Sequence, residues 1–230
     1  MIETKIFLDG ADQIIQNANN DLISGYTTNP SLLRKAGVAS YETFAKQVLA
    51  VIKDKPVAFE VLSDDFKEMH RQALKVASWG ENVNVKIPIT NTKGESSLNL
   101  IIDLIKEGVT VNVTAITLLG QVIPLLPAMN KAKSGFVSIF AGRVADCGTD
   151  PEPIMRKAVQ LIEDECPHIE LIWASAREIF NVIQADRSGC DIITIGSDLL
   201  KKYPLIGKPL KEMSLSTVKM FQRDGEGYSL

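Results

Sequence analysis

Residues 82–91 read NVNVKIPITN and place a lysine inside a stretch that otherwise has the apolar pattern of a buried strand. Apolar and polar residues alternate along it, so its polar side chains share one face: Asn84, Lys86 and Thr90. A lysine in such a strand either reaches solvent or is buried. Burial disfavours the charged ammonium and leaves a neutral amine, which is a nucleophile toward carbonyl carbon. The other strands decide between these alternatives.

The rest of the chain alternates short apolar strands with amphipathic helical stretches. Helical stretches are predicted between all the strands, and no linker or low-complexity segment marks a boundary. This α/β pattern predicts a (β/α)8 TIM barrel, with an open doubly wound sheet as the alternative. The eight predicted strands are residues 5–9, 23–28, 57–62, 83–89, 109–116, 136–142, 169–175 and 191–197.

Composition limits the class of protein. With 230 residues, of which 45% are hydrophobic and 23% charged, the chain can form one large core, and we interpret residues 1–230 as a single domain. A net charge of −3 without a basic block argues against nucleic acid or an anionic membrane as the main partner. No apolar run approaches the roughly 20 residues of a membrane span. We expect a cytoplasmic enzyme that acts on a small molecule.

The cysteines and histidines do not indicate a metal site or a disulfide scaffold. The three cysteines are widely spaced and include no CxxC pair. His70 lies in a helical stretch and His168 at the start of a strand, and neither belongs to a metal cluster. Residues 195–200, IGSDLL, contain too little glycine pattern to predict a dinucleotide site. We therefore expect neither metal nor cofactor, which argues against a zinc-dependent aldolase.

Several strands break their apolar pattern on the face that would point into a barrel. In a barrel these residues converge on the interior or the C-terminal mouth, where barrel enzymes build active sites. A charge inside a sheet is costly unless it is paired, so one lysine among two carboxylates indicates a functional site. The residues are Asp9, Glu60, Lys86, Asn112 and Thr114.

Other polar residues lie near the same strand ends. Ser138 and Phe140 share one face of the sixth predicted strand. Arg143 and Arg177 each follow a strand, where a phosphate would meet helix N-termini, although both could instead be solvated loop charges. Asn29, taken alone, either contacts substrate or is a structural hydrogen bonder.

Six ordered segments resemble the transaldolase family, in its short single-barrel form that also includes fructose-6-phosphate aldolases. The likeness covers almost the whole chain, and the segments fall at strand ends. They are TTNPSL (27–32), FEV (59–61), VKIPIT (85–90), NVTAI (112–116), SIFAGR (138–143) and WASAR (173–177).

The resemblance implies a Schiff-base enzyme, without metal or cofactor, that moves a dihydroxyacetone unit from a ketose phosphate to an aldose phosphate in the pentose phosphate pathway. Lys86 matches the Schiff-base lysine and Asp9 the acid/base for carbon–carbon cleavage. Glu60 and Thr114 match the pair that holds a catalytic water. The substrate-binding positions that the resemblance implies are Thr28, Asn29, Asn112, Ser138 and Phe140, with Arg143, Ser175 and Arg177 for the phosphate.

Two positions favour transfer over simple cleavage. The aldolase branch resembles a pattern with glutamine at position 60 and tyrosine at position 140, whereas this chain has Glu60 and Phe140. Departures from the family pattern at Ile139 and Ala145 alter the pocket rim and leave the sugars undetermined. A fructose-6-phosphate aldolase and a non-catalytic sugar-phosphate-binding barrel remain alternatives. The buried amine of Lys86 argues against the second, because a binding module does not need it.

Residues 205–230 follow the eighth predicted strand and form a C-terminal arm. A helix is predicted over residues 215–223 with Ser214 as its cap, and its apolar residues cannot close the barrel. They pack either on the barrel's own helices or on another subunit. Short-form members of the resembled family are commonly rings of five that stack into ten, so the resemblance implies a homo-oligomer, a pentamer or decamer.

Overall fold

Eight parallel strands close into a barrel in chain order in this computed structural model, with the first strand paired to the eighth. The structure describes residues 2–11 and 13–228. The closure confirms the predicted (β/α)8 barrel and excludes the open doubly wound sheet. The strands are β1 Lys5–Asp9, β2 Ile23–Thr27, β3 Val57–Glu60, β4 Val83–Pro88, β5 Val111–Ile116, β6 Gly135–Ile139, β7 Ile169–Trp173 and β8 Ile192–Gly196.

Helices cover the outside of the barrel and link successive strands from β2 onward. Side chains cap three of them, at Asn29, Ser40 and Asp65. No helix among the described residues combines the length and apolar character needed to cross a membrane. The helices are α1 Pro30–Lys35, α2 Tyr41–Val51, α3 Phe66–Ala77, α4 Leu98–Lys106, α5 Leu119–Val122, α6 Leu126–Met129, α7 Ala141–Asp146, α8 Glu152–Glu165, α9 Phe180–Arg187, α10 Ser197–Leu200 and α11 Leu210–Asp224.

Two connections differ from the sequence prediction. Between β1 and β2 the described residues form only a 3-10 turn, Ile15–Asn17, where a helix is predicted. The prediction also extends the sixth strand to residue 142, but β6 ends at Ile139 because the chain turns into α7 at Ala141. Arg143 therefore lies in a helix rather than in a loop.

Apolar side chains fill the N-terminal half of the barrel interior. The rings of Phe7 and Phe136 meet edge to face with centroids 6.2 Å apart, and Ile172 and Ile192 belong to the same cluster. Gly25 makes room for Phe7, because a Cβ at position 25 would lie 2.4 Å from the nearest ring atom. We call Phe7, Phe136, Ile172 and Ile192 the apolar floor. The polar side chains of the interior lie beyond it, toward the C-terminal ends of the strands.

The last helix, α11, contains no buried residue. Its apolar residues Leu215, Val218 and Phe221 are 54%, 60% and 65% exposed, so most of the surface of each is not covered by its own chain. The helix begins at Leu210, earlier than predicted, and Ser214 lies inside it rather than capping it. The end of the predicted arm, residues 229 and 230, lies outside the described residues.

Candidate active site

Lys86 lies on β4 with only 6% of its surface exposed. Its Nζ atom is 3.0 Å from Oε2 of Glu60 and donates a hydrogen bond of 2.9 Å to the backbone oxygen of Thr28. Glu60 and Lys86 are register partners on adjacent strands, so their side chains point to the same face. Of the two alternatives for this lysine, exposure to solvent and burial, the structure shows burial. Its charge is paired with Glu60, as burial requires.

The next strand places two more polar groups beside Lys86. Asn112 is the register partner of Lys86, and Thr114 lies two residues further along the same face of β5. The Thr114 hydroxyl is buried and makes no hydrogen bond to any residue that the structure describes. Buried hydroxyls are almost always hydrogen-bonded, so this one can serve a water molecule or a substrate hydroxyl.

Asn112 is held in one orientation by its neighbours. The hydroxyl of Ser138 donates to Oδ1 of Asn112 at 2.7 Å, and Nδ2 of Asn112 donates to Oδ1 of Asn84 at 3.2 Å. The three side chains form a row across β4, β5 and β6. Because one N–H of the Asn112 amide donates to Asn84, the other N–H is left for a ligand oxygen.

Asp9, at the end of β1, is the second carboxylate of this region. Its Oδ1 accepts a hydrogen bond of 2.9 Å from Thr27, whose hydroxyl also pairs with that of Thr194 at 2.6 Å. Nδ2 of Asn29 lies 3.5 Å from the other carboxylate oxygen. Burial raises the pKa of Asp9, and the positive charge of Lys86 opposes part of the increase. A carboxyl group with a raised pKa is better suited to proton transfer than an ordinary aspartate.

At the rim of the barrel, α7 packs against the segment that follows β7. A Cβ at position 142 would lie 1.6 Å from the backbone oxygen of Ser175, so this contact requires Gly142. Ser175 has a φ of 65°, a left-handed conformation that is rare for a residue with a side chain. The close approach brings Arg143 and Arg177 to the same edge of the barrel.

Arg177 forms an ion pair with Asp146, which lies on the same helix as Arg143. Nε and Nη2 of Arg177 donate to Asp146 at 3.1 and 2.5 Å. This contact with Arg177 is the main reason that the pKa of Asp146 lies below its usual range, and the charge of Arg143 lowers it further. Asp146 therefore balances the charge of Arg177, while Arg143 adds a second cation that could contact a phosphate group.

One predicted site residue points elsewhere. The hydroxyl of Thr28 donates to the backbone oxygen of Ala58 at 2.8 Å, and its side chain is fully buried on the outer face of the sheet. Thr28 therefore offers the site its backbone carbonyl and not its side chain. Thr27 occupies the inward position instead, because side chains alternate along a strand. Phe140 is half-buried and packs on the cluster that contains the apolar floor.

Three residues of the region are not identified by the sequence prediction. Thr27 donates to Asp9, and Thr194 contacts the Thr27 hydroxyl. The alternation of β8, which reads IITIG, could have placed Thr194 inward. Tyr41 hydrogen-bonds the backbone of Glu60 from the start of α2. The sequence carries no signal for that contact, since it joins a helix start to a strand end.

The chain is similar to one protein family along nearly its whole length. The family model described as Transaldolase/Fructose-6-phosphate aldolase matches residues 6–227. A "Probable transaldolase" from Methanococcus maripaludis (strain C7) is 37% identical over 226 residues, which cover 97% of this chain and 98% of that protein. A "Probable transaldolase" from Dehalococcoides mccartyi is 33% identical over 214 residues, 92% of this chain and 94% of that protein. A "Probable transaldolase 2" from Listeria monocytogenes is 33% identical over 227 residues, 98% and 97%.

Solved structures with much lower identity share the architecture. The crystal structure of a "putative lyase/mutase" from Burkholderia cenocepacia J2315 has a TM-score of 0.63 and 10% sequence identity. The match covers 98% of this chain and 85% of that one. At this identity the similarity shows the fold alone.

Proposed function

The chain belongs to the transaldolase/fructose-6-phosphate aldolase family, and on this premise we propose that it is a transaldolase. It transfers a dihydroxyacetone unit from sedoheptulose 7-phosphate or fructose 6-phosphate to glyceraldehyde 3-phosphate or erythrose 4-phosphate, in the pentose phosphate pathway. The observation that supports this most is the buried Lys86 amine, 3.0 Å from Glu60 and surrounded by hydrogen-bonding side chains at the C-terminal mouth.

The reaction begins with attack of Lys86 on the ketone carbon of the donor sugar. The amine must be neutral to attack, and Glu60 is within reach to accept its proton. The resulting carbinolamine loses its hydroxyl as water, with a proton delivered by a water molecule held between Glu60 and Thr114. The iminium that remains is the electron sink for the next step.

Asp9 then accepts the proton of the donor's C4 hydroxyl. The C4 oxygen forms a carbonyl, the C3–C4 bond breaks, and its electron pair moves into the iminium to give an enamine on Lys86. The aldose phosphate leaves, and three carbons stay bound. Addition of the enamine to an acceptor aldehyde reverses these steps, with the proton returned by Asp9. Hydrolysis of the new iminium releases the product ketose and restores the amine.

The surrounding residues orient the sugar. Asn29 and Asn112 bind hydroxyls of the dihydroxyacetone unit, and Ser138 fixes the amide of Asn112. The phosphate lies at the rim, bound by Arg143 and Arg177 with Ser175. Binding at two ends of an extended sugar holds the C3–C4 bond beside the amine and Asp9.

Phe140 supports transfer over cleavage. It packs on the apolar side of the interior and has no proton to give, so the enamine lasts until an aldehyde arrives. A tyrosine at this position would offer a hydroxyl that protonates the enamine and releases free dihydroxyacetone. Fructose-6-phosphate aldolase activity is the alternative, because the matched family includes both reactions.

The direct test gives the purified protein fructose 6-phosphate with and without erythrose 4-phosphate. A transaldolase forms sedoheptulose 7-phosphate and glyceraldehyde 3-phosphate when both sugars are present, and it releases little dihydroxyacetone from the donor alone. Release of dihydroxyacetone at a rate independent of the acceptor would identify an aldolase. Absence of both products, with tight binding of the sugar phosphates, would identify a non-catalytic barrel.

We expect Arg143→Ala and Arg177→Ala each to lower kcat/KM for phosphorylated substrates by at least about 2 kcal/mol, because a charge-assisted contact is lost. With unphosphorylated dihydroxyacetone as donor and an unphosphorylated aldose as acceptor, the loss should be much smaller. Arg71→Ala is the matched control, since Arg71 also pairs with a carboxylate but lies on the outside of α3. Steady-state kinetics with both donors measure the difference. Equal losses for the two donors would mean that the arginines are structural.

We also propose that residues 205–230 join subunits into a homo-oligomer. The exposed apolar residues of α11 support this, because so large an apolar surface is rarely left in water. Deletion of residues 211–230 should lower the particle mass in light scattering. It should also make thermal stability less dependent on protein concentration, since subunit binding stabilises by mass action.

The control for the deletion is a full-length protein with Lys219→Ala. Lys219 lies on α11 between the apolar positions, so its replacement keeps the helix and its apolar residues. It should leave the particle mass unchanged. If the deleted protein also keeps its mass, the helix packs within its own subunit and the proposal is wrong.

A further inference from the structure

The hydrogen-bond ladder between β2 and β3 stops one step short of Glu60. The N–H groups of Tyr26 and Thr28 donate to carbonyls on the β3 side at 2.9 and 3.1 Å. The same two-residue step would next join residue 30 to the carbonyl of Glu60. Residue 30 is a proline, which has no N–H, and the chain turns there into α1. The ladder therefore leaves the Glu60 backbone without its partners on that side.

Tyr41, the first residue of α2, supplies those partners with its hydroxyl. The hydroxyl accepts a hydrogen bond from the Glu60 N–H at 2.7 Å and donates one to the Glu60 carbonyl at 3.1 Å. Burial raises the pKa of Tyr41 far above its usual value. The hydroxyl thus stays protonated and keeps both its donor and its acceptor function.

The same arrangement leaves a carbonyl for Lys86. In an uninterrupted parallel ladder the Glu60 N–H would donate to the carbonyl of Thr28. Because Tyr41 accepts that N–H, the Thr28 carbonyl instead accepts the hydrogen bond of 2.9 Å from Lys86 Nζ. Tyr41 thereby affects both groups that hold the amine, the Glu60 side chain and the Thr28 carbonyl.

The ring of Tyr41 is itself held in place. It packs edge to face on Trp79 and Phe59, with centroids 5.4 and 6.0 Å away. Phe59 precedes Glu60 on β3, so the ring and the hydroxyl contact consecutive residues of the strand. A rigid tyrosine can fix the strand end more tightly than a water molecule in the same position.

We propose that Tyr41 is a positioning residue for the Lys86–Glu60 pair. Its hydroxyl replaces the missing step of the β2–β3 ladder and holds the Glu60 backbone so that the carboxylate stays within hydrogen-bond distance of the amine. The expected loss of kcat rests on the proposed function, because it assumes that Lys86 and Glu60 carry the reaction. The expected change in the reactivity of the Lys86 amine does not rest on it.

The test is Tyr41→Phe, which removes the hydroxyl and keeps the ring. We expect kcat to fall about tenfold, the effect of one well-placed buried hydrogen bond, while KM stays within about twofold because the sugar contacts are made elsewhere. Rates are normalised to active sites, counted as Lys86 labelled by borohydride in the presence of fructose 6-phosphate. Tyr26→Phe is the matched control, since its hydroxyl also binds a backbone oxygen, that of Asn17, at 2.9 Å. It should lower the melting temperature to a similar extent and leave kcat unchanged.

A double-mutant cycle separates positioning from general stability. If Tyr41 acts through Glu60, Tyr41→Phe should have little further effect on kcat in a Glu60→Gln background. A substrate-free readout accompanies it: acylation of Lys86 by acetic anhydride, with exposed Lys5 of the same molecule as reference. The Lys86 to Lys5 ratio should change at least about threefold in Tyr41→Phe and not in Tyr26→Phe.

The outcomes are distinguishable. A wild-type protein that is not labelled by borohydride refutes the proposed function, and the acylation ratio then decides on Tyr41 alone. A labelled wild type with an unchanged kcat and acylation ratio in Tyr41→Phe overturns the positioning role. The positioning role is also overturned if Tyr41→Phe lowers kcat equally in the wild type and in Glu60→Gln. Equal losses would show that Tyr41 does not act through Glu60.

Discussion

Lys86→Met should reduce kcat by at least about 10⁵-fold, because neither the nucleophile nor the electron sink can form without the amine. Methionine resembles lysine in length, so the variant changes the chemistry more than the packing. Borohydride reduction in the presence of fructose 6-phosphate, followed by mass mapping, should label the wild type on the peptide that contains Lys86 with a three-carbon or six-carbon adduct. The variant should carry no adduct.

The folding control for this variant is Lys86→Met combined with Glu60→Gln. Loss of the lysine alone leaves the Glu60 carboxylate without its cation, which destabilises a buried pair. The double variant removes both charges and should recover thermal stability without recovering turnover. Lys5→Met is the control for labelling, since Lys5 also lies on a strand 2.7 Å from a glutamate but is exposed. An adduct on Lys75 or Lys106, with an active Lys86→Met protein, would refute the Schiff-base assignment.

Asp9→Asn should lower kcat by about 10²- to 10⁴-fold, the usual effect of removing a general acid/base. The Schiff base should still form, because Lys86 and Glu60 remain. Borohydride should therefore trap mainly the uncleaved six-carbon adduct in this variant. Asp191→Asn is the matched control: burial also raises the pKa of Asp191, but its carboxylate binds the N–H of Leu171 at the other end of the barrel. A three-carbon adduct in Asp9→Asn would show that another group cleaves the bond.

The raised pKa of Asp9 also predicts how this variant changes stability with pH. The folded protein holds the Asp9 proton more tightly than the unfolded chain, whose ordinary value is 3.8. The contribution of Asp9 to stability is therefore present below that value and is lost as pH rises through the raised pKa. Asparagine does not titrate, so the melting temperature of Asp9→Asn relative to wild type should increase as pH rises from the ordinary value of 3.8 through the raised pKa. A difference that falls over this interval would contradict the direction of the shift.

Alternation along the strands was sufficient to predict the barrel and the inward cluster. Asp9, Glu60 and Lys86 each interrupt an apolar strand on one face, and a closed parallel barrel has only one interior for that face. The Lys86–Glu60 contact follows from this, since the two residues are register partners. The side chain of Thr28 points away from the cluster, because a shift of one residue along a strand moves a side chain to the other face of the sheet.

Contacts between distant segments could not be predicted from periodicity. The glycine at position 142 is required by the carbonyl of Ser175, which lies more than thirty positions away in the sequence. Tyr41 hydrogen-bonds Glu60 because Pro30 ends the β2 ladder early. Within its own segment of sequence, none of these three residues indicates that contact. Such contacts depend on how two strand ends and a helix start meet in space, and alternation within one segment carries no information about that meeting.

The apolar floor limits how sugars and solvent can reach Lys86. Because Phe7, Phe136, Ile172 and Ile192 fill the interior below the cluster, the proposed transfer would have donor, acceptor and solvent approach Lys86 from the C-terminal mouth. An acceptor that occupies this route also excludes the solvent that would quench the enamine. In the proposed reaction, binding of the acceptor would then itself protect the enamine from solvent, in addition to the lack of a proton donor at Phe140.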